Sequence, residues 1–317
     1  MSNLKYDPEF LQLLQAANMP PSAEPKGAHE LRQNNDTIMA MVAAFFPPSP
    51  GVTETIFSVT ANDGTSLAIY KLTPPTVKQQ GSPQPAIIYV HGGGMVSGSV
   101  ALFKRSAEYY ATQTGIVVFC VSYRLAPEFP FPTPLEDVYS GLKWLQSNAS
   151  EHNIDPARIA ICGASAGGGL AAGVVLKARD EGLSPPLAKQ VLIYPMLDDR
   201  TKIGPENPLS QFLTWTAQRN EIGWGSYLGK DRSNVSPYAA PARETNLSGL
   251  PRTFIDVGGL DLFRDEDAEF AARLAKANID VEFHLYPGVP HGFDMSGRGL
   301  AVTKRAEEIR VAALSDF

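Results

Sequence analysis

The stretch CGASAGGG, Cys162 to Gly169, follows the apolar run Ile159-Ala160-Ile161, and four of its eight residues are glycine. Three readings compete for it. A phosphate-binding P-loop needs Lys-Ser or Lys-Thr after the last glycine, and here Leu170 and Ala171 follow. A dinucleotide fingerprint fits Gly167 to Ala172 loosely, but it calls for an acidic residue ~20 positions later. That place falls at Leu192, inside an apolar run. The third reading is G-x-S-x-G, Gly163-Ala164-Ser165-Ala166-Gly167, at a sharp turn between a strand and a helix. Such a turn forces strained backbone angles on its central residue, so the positions two away on either side must lack bulk. Ser165 then stands at the carboxyl end of a strand and the amino end of a helix, whose free N–H groups favour developing negative charge.

A serine hydroxyl needs a base to become a nucleophile. The chain has five histidines. His29 and His152 lie in polar surroundings and read as solvated. His284 alternates with Val281, Phe283 and Leu285 on a strand and faces away from them. His91 opens a glycine run. His291, in YPGVPHGF (286–293), sits in a loop stiffened by Pro287 and Pro290 after the last strand pattern, where a base reaches back over the sheet end. The orienting acid is sought in DVGGLDLFRDEDAEF (256–270). Asp256 lies within a strand, and Asp265, Glu266 and Asp267 read as first-turn helix charges. Asp261, in the loop just past the strand, is the favoured acid. Nucleophile and base also need donors for a developing oxyanion. HGGGMVSG (91–98) supplies bare backbone N–H groups directly after a strand.

Around these motifs the chain alternates apolar runs with helical patterns. The runs are 55–61, 66–72, 86–90, 116–123, 158–162, 190–195, 253–258 and 281–286. The first two alternate with period two across Asn62-Asp63-Gly64, a hairpin signal. The middle ones are almost continuously apolar, as strands covered on both faces are. Helical stretches fall at about 133–148, 166–181, 264–277 and 299–315. The pattern predicts an α/β fold, a mixed but mostly parallel sheet of eight strands with helices on both faces. Two segments break the rhythm and suggest a cap over one sheet end. Residues 1–50 read as two helices separated by the Pro-rich MPPSAEPKG (19–27). Residues 197–240 carry Phe212, Trp215, Trp224 and Tyr227 at helix-like spacing.

The 317 residues are 44% hydrophobic and 19% charged, with a net charge of −6. No Lys/Arg stripe of the kind that phosphate backbones need is present, so nucleic acid is excluded as a partner. No apolar run approaches the ~20 residues that span a bilayer. The N-terminus MSNLKYDPEF lacks the unbroken apolar stretch of a secretory signal. Cys120 and Cys162, each ending an apolar run, read as reduced core residues. The expectation is a cytoplasmic protein without a membrane span.

With these residues in hand, the sequence resembles the hormone-sensitive-lipase-like, HGGG-type esterases of the α/β-hydrolase superfamily. The resemblance runs from about 84 to 295, over HGGG (91–94), YRLAPEFPFPTPLEDV (123–138), GASAGG (163–168), SPYAAPAR (236–243), DLFRDE (261–266) and HGF (291–293). It implies Ser165 as nucleophile, His291 as base and Asp261 as its acid. It implies the N–H groups of Gly93, Gly94 and Ala166 as oxyanion hole, with His91, Gly92, Gly163 and Gly167 structural around them. It further implies cap helices in 1–50, a catalytic domain over 51–317 with a cap insertion at about 197–240, and hydrolysis of short- to medium-chain acyl esters. Neither cofactor nor metal is implied, and relatives that pair through an edge strand allow a homodimer. Three positions depart from the family pattern: Ala164 stands for Asp or Thr, Met95 for an aromatic residue or alanine next to the acyl pocket, and Leu262 for a proline whose loss loosens the acid's loop. Amide or lactam hydrolysis on the same three side chains is the nearest alternative. A non-catalytic small-molecule receptor on the same scaffold is the other.

Overall fold

The computed structural model describes residues 2–17, 23–77 and 81–317. Of the Pro-rich break, residues 19–22 lie outside the described residues. Eight strands form one sheet in the order β1-β2-β4-β3-β5-β6-β7-β8. They are β1 (Thr53–Thr60), β2 (Ser66–Thr73), β3 (Gln84–Val90), β4 (Val117–Val121), β5 (Ile154–Ala164), β6 (Lys189–Ile193), β7 (Arg252–Gly258) and β8 (Val281–Tyr286). The hairpin pairs Thr60 with Ser66 antiparallel, β2 meets β4 antiparallel, and every later pairing is parallel.

The helices are α1 (Pro8–Ala17), α2 (Ala28–Phe45), α3 (Val100–Thr114), α4 (Thr133–Ser147), α5 (Ala166–Asp180), α6 (Ala217–Leu228), α7 (Arg264–Lys276), α8 (Phe293–Ser296) and α9 (Ala301–Ser315). Helix α3 has no counterpart in the sequence expectation. Its buried Val100, Phe103, Ala107, Tyr110 and Ala111 keep helical spacing, but Lys104, Arg105, Glu108 and two threonines dilute the apolar stripe. Its punctuation is clearer: Ser99 caps it by accepting the Leu102 N–H, and Gly115 ends it with φ 71°.

The central strands feed two cores by strict alternation. On β3, Ala86, Ile88 and Val90 face one core while Ile87 and Tyr89 face the other, and β4 repeats the pattern. Helices α4, α5 and α7 cover the first face; α1, α3 and α9 cover the second. This two-sided burial is why the middle runs read as unbroken apolar sequence. Cys120 and Cys162 are free and buried, and they flank Tyr89 from the two neighbouring strands. Burial pushes the Cys162 thiol up to about 12. The edge strand β8 is less covered, leaving Leu285 47% exposed.

Because β3 lies between β4 and β5, the connection after β3 leads to one side and that after β5 to the other. The carboxyl ends of β3 and β5 therefore flank a topological switch point, where open α/β sheets form a crevice. The glycine run after β3 and Ser165 after β5 meet at that crevice.

Candidate functional site

Ser165 sits between the last residue of β5 and the first of α5 with φ 56° and ψ −123°, a backbone conformation that L residues rarely adopt. The strain is held by β6: the Ser165 N–H donates to the Ile193 carbonyl at 2.9 Å, and its carbonyl accepts from Met196 and Gly169 at 3.0 and 3.1 Å. A Cβ on Gly163 would run into the Gly167 carbonyl, and one on Gly167 would run into the carbonyls of Val90 and His91. Backbone-to-backbone collisions of this kind have no soft side chain to yield. We expect Gly167→Ala to leave little soluble, folded protein, checked by expression yield and melting temperature beside the wild type.

His291 Nε2 lies 2.9 Å from Ser165 Oγ, and its Nδ1 lies 2.7 Å from Asp261 Oδ2. Asp261 is fully buried, and its other oxygen accepts the Phe263 N–H at 2.9 Å. The turn carrying Asp261 is knitted onto the loop carrying His291: Gly259 donates to Tyr286 at 2.7 Å and Leu260 to Val289 at 3.0 Å. Leu262, where the family pattern has a proline, is buried in the core. Tyr194 and Phe263 present edge-to-face contacts to the imidazole at 4.8 and 5.1 Å. Thr214 Oγ1 donates to the His291 carbonyl at 2.8 Å, so the segment after β6 grips the same loop.

His91 is buried, stacked between Phe103 and Tyr123, and its Nδ1 faces the Gly92 carbonyl at 2.8 Å. Burial holds it down at about 4, so it is neutral at pH 7 and donates that bond. The N–H groups of Gly93 and Gly94 bond no group among the described residues. The N–H of Ala166 opens α5, where no preceding turn supplies an acceptor. Met95 is fully buried and not part of the cavity wall. Ala164 does line the cavity.

Ser165, His291, Gly93 and Gly94 open into a cavity of about 300 Å³. From α2 it takes Asn35, Ile38, Met39 and Val42; from the segment after β6, Thr214, Trp215 and Arg219; and beside His291, Met295 and Ser296. Of the aromatic residues in the two segments outside the sheet pattern, Trp215 lines the cavity while Trp224 and Tyr227 belong to the core, and Phe45 on α2 is exposed. Tyr194 is a site neighbour that the sequence did not single out. It has φ 36°, and its hydroxyl donates to Asp294 at 2.8 Å. Arg310 binds Asp294 at 2.5 Å and Asp256 at 2.6 Å. Asp256, an acid considered beside Asp261, is thus part of a buried ion-pair network. Only long-range packing assembles that network, and no local pattern signals it.

One other sequence expectation is corrected, and another is completed by burial. His152 is half-buried against Phe57, Phe119 and Trp144 instead of solvated, and burial lowers its pKa. Asp265, Glu266 and Asp267 do stand in the first turn of α7, but Glu266 and Asp267 are buried there. The Glu266 carboxyl accepts the N–H groups of Leu197 and Asp198 at 2.7 and 3.1 Å and the Thr201 hydroxyl, tying α7 to the segment after β6.

Burial pushes Glu266 up to about 8, so the fold keeps a proton that the unfolded chain releases near pH 4.5. Its stabilising contribution is complete below pH 4.5 and is lost as pH rises through about 8. Urea unfolding at pH 5 and pH 9 is expected to show wild type losing a few kcal/mol more than Glu266→Gln over this interval. Equal losses in both proteins would remove Glu266 as the source.

Among the described residues no cluster of His, Cys, Asp or Glu is arranged to hold a metal ion, and no helix is long and apolar enough to cross a membrane. Residues 87–295 match the family model described as alpha/beta hydrolase fold, and the chain belongs to that family. Carboxylesterase NlhH of Mycobacterium tuberculosis is 34% identical over 264 residues, 76% of this chain and 79% of that protein. Ethyl acetate hydrolase of Pseudomonas putida is 28% identical, over 94% of this chain and 93% of its own. The solved structure of a bacterial heroin esterase superposes with a TM-score of 0.88 at 36% identity, covering 98% of this chain and 97% of that one. Within the family this is a hormone-sensitive-lipase-like carboxylic ester hydrolase.

Proposed function

We propose that the chain hydrolyses short- to medium-chain acyl esters through an acyl-enzyme formed on Ser165. The observation that carries this reading is the continuous hydrogen-bonded line from buried Asp261 through His291 to Ser165, at 2.7 and 2.9 Å, with His291 and Ser165 lining the cavity. Asp261 accepts the Nδ1 proton and so leaves the Nε2 lone pair aimed at the hydroxyl. His291 takes the Ser165 proton as Oγ attacks the ester carbonyl. The N–H groups of Gly93, Gly94 and Ala166 receive the carbonyl oxygen as it gains charge. The imidazolium protonates the departing alcohol, and water repeats the sequence to release the acid.

The N-terminal helices and residues 197–240 act as a cap that closes over the substrate, a role supported by the cavity walls that α2 and Thr214, Trp215 and Arg219 supply. The apolar side built by Ile38, Met39, Val42, Phe103 and Met295 suits an acyl chain, and about 300 Å³ limits its length. A cytoplasmic setting agrees with two unpaired thiols.

A series of p-nitrophenyl esters from acetate to palmitate, run beside the matching p-nitroanilides, tests the reading. kcat/KM should peak between the two- and ten-carbon esters, fall steeply beyond, and stay far lower for the amides. A fluorophosphonate should label Ser165 and abolish turnover. Labelling without any ester turnover would instead favour the amide reading, and neither labelling nor turnover would favour a receptor.

A further inference from the structure

Helix α2 does more than wall the cavity, because three of its side chains bond into the glycine loop after β3. Asp36 Oδ1 accepts the Gly98 N–H at 2.8 Å. Arg32 donates to the carbonyls of Val96 and Ala126 at 2.6 and 2.7 Å. Asn35 Nδ2 donates to Ser97 Oγ at 3.1 Å. Ser97 is fully buried and passes that bond on, its Oγ donating to the Gly93 carbonyl at 2.8 Å. The same carbonyl accepts the N–H groups of Ser97 and Val96 at 2.9 and 3.2 Å.

A planar trans peptide carries its C=O and its N–H on opposite edges. Three donors holding the Gly93 carbonyl therefore fix where the Gly94 N–H points, since both belong to one peptide unit. That N–H bonds nothing among the described residues, while Gly94 lines the cavity. In a glycine run a peptide unit turns over easily unless something holds it, because no Cβ restricts the flanking angles. The hydroxyl of Ser97 is also oriented: with Asn35 as its donor, its own proton is directed at Gly93.

We infer that Ser97 and Asn35 are positioning residues of the oxyanion hole, so that docking of α2 contributes to transition-state stabilisation as well as to enclosing substrate. The inference rests on the role proposed above for the Gly94 N–H. A Ser97 hydroxyl that only satisfied a buried carbonyl would affect stability and leave the chemical step alone, and the two roles separate in measurement.

The test uses the full chain, a p-nitrophenyl butyrate assay, and two inhibitors: an alkyl trifluoromethyl ketone and its unfluorinated counterpart. The fluorinated ketone adds to the serine oxygen, so its carbonyl oxygen becomes an oxyanion; the other binds as a ketone. Ser97→Ala should lower kcat about tenfold with KM within about twofold, as expected when one oriented hydrogen bond is lost. Trifluoromethyl ketone affinity should fall by the same factor and that of the plain ketone should not. Asn35→Ala should show a smaller shift of the same kind, roughly threefold, and serves alone if Ser97→Ala does not fold. The double variant should be no slower than Ser97→Ala, because the two residues act through one bond. Unchanged kcat and trifluoromethyl ketone affinity in Ser97→Ala, or independent multiplicative losses in the double variant, would overturn the inference. A wild type that binds both ketones equally would refute the oxyanion assignment itself, and the inference with it.

Discussion

Ser165→Ala is expected to lower kcat for p-nitrophenyl butyrate by on the order of 10⁶-fold, with KM little changed. The size follows from the three side chains acting as one unit: without Oγ there is neither an acyl-enzyme nor a proton for His291 to take. What survives is water attacking a bound ester beside the oxyanion donors, a residual 10³–10⁴-fold over the uncatalysed reaction on the order seen when such a unit is dismantled. The variant should remain folded. Backbone bonds to Ile193, Met196 and Gly169 hold the turn at 165, and the side chain contributes only its bond to His291. Alanine still bears a Cβ at φ 56°, so the strain is kept, neither relieved nor increased. An unaltered melting temperature with a rate within tenfold of wild type would mean that the nucleophile lies elsewhere.

Much of this site was legible because its parts carry local signatures. The residues two positions from Ser165 must be glycine for reasons of backbone contact, and the collisions at Gly163 and Gly167 are the physical content of the G-x-S-x-G spacing. The central strands were equally readable, since two-faced burial writes itself as continuous apolar sequence. His291 and Asp261 were reachable because each lies in a loop just past a strand, and in a parallel sheet those loops share one end.

What the sequence concealed is burial that depends on partners far along the chain. Glu266 and Asp267 look identical to ordinary first-turn helix acids, yet both are buried, and Glu266 is bonded by the segment from Leu197 to Thr201, far from it in the chain. His152 looks polar until Phe57, Phe119 and Trp144 close around it from three other elements. Tyr194 ends an apolar strand like any core tyrosine, and nothing nearby announces a positive φ or a ring against His291. Helix α2 was readable as an amphipathic segment, but its polar residues Arg32, Asn35 and Asp36 gave no sign of which loop they would bond.

The second large effect is expected at the acid. Asp261→Asn changes one atom, and the hydrogen bonds around it determine which end of the amide faces the histidine. Asp261 Oδ1 accepts the backbone N–H of Phe263 at 2.9 Å, and Oδ2 accepts His291 Nδ1 at 2.7 Å. An asparagine must keep its carbonyl oxygen toward Phe263, because the alternative leaves a buried N–H facing an NH₂ donor and unpaired. Its NH₂ group then faces Nδ1, which can only accept. The imidazole adopts the other tautomer, with its proton on Nε2 directed at Ser165 Oγ, where a lone pair is needed. Geometry is preserved and the base is lost, so kcat should fall by about 10⁴-fold while KM and melting temperature stay near wild type. Fluorophosphonate labelling, which needs the same proton transfer, should slow in parallel. Nitrogen NMR of the imidazole supplies an independent readout: Nδ1 protonated in the wild type, Nε2 protonated in the variant. A loss of tenfold or less, with the wild-type tautomer retained, would show that Asp261 does not orient the base.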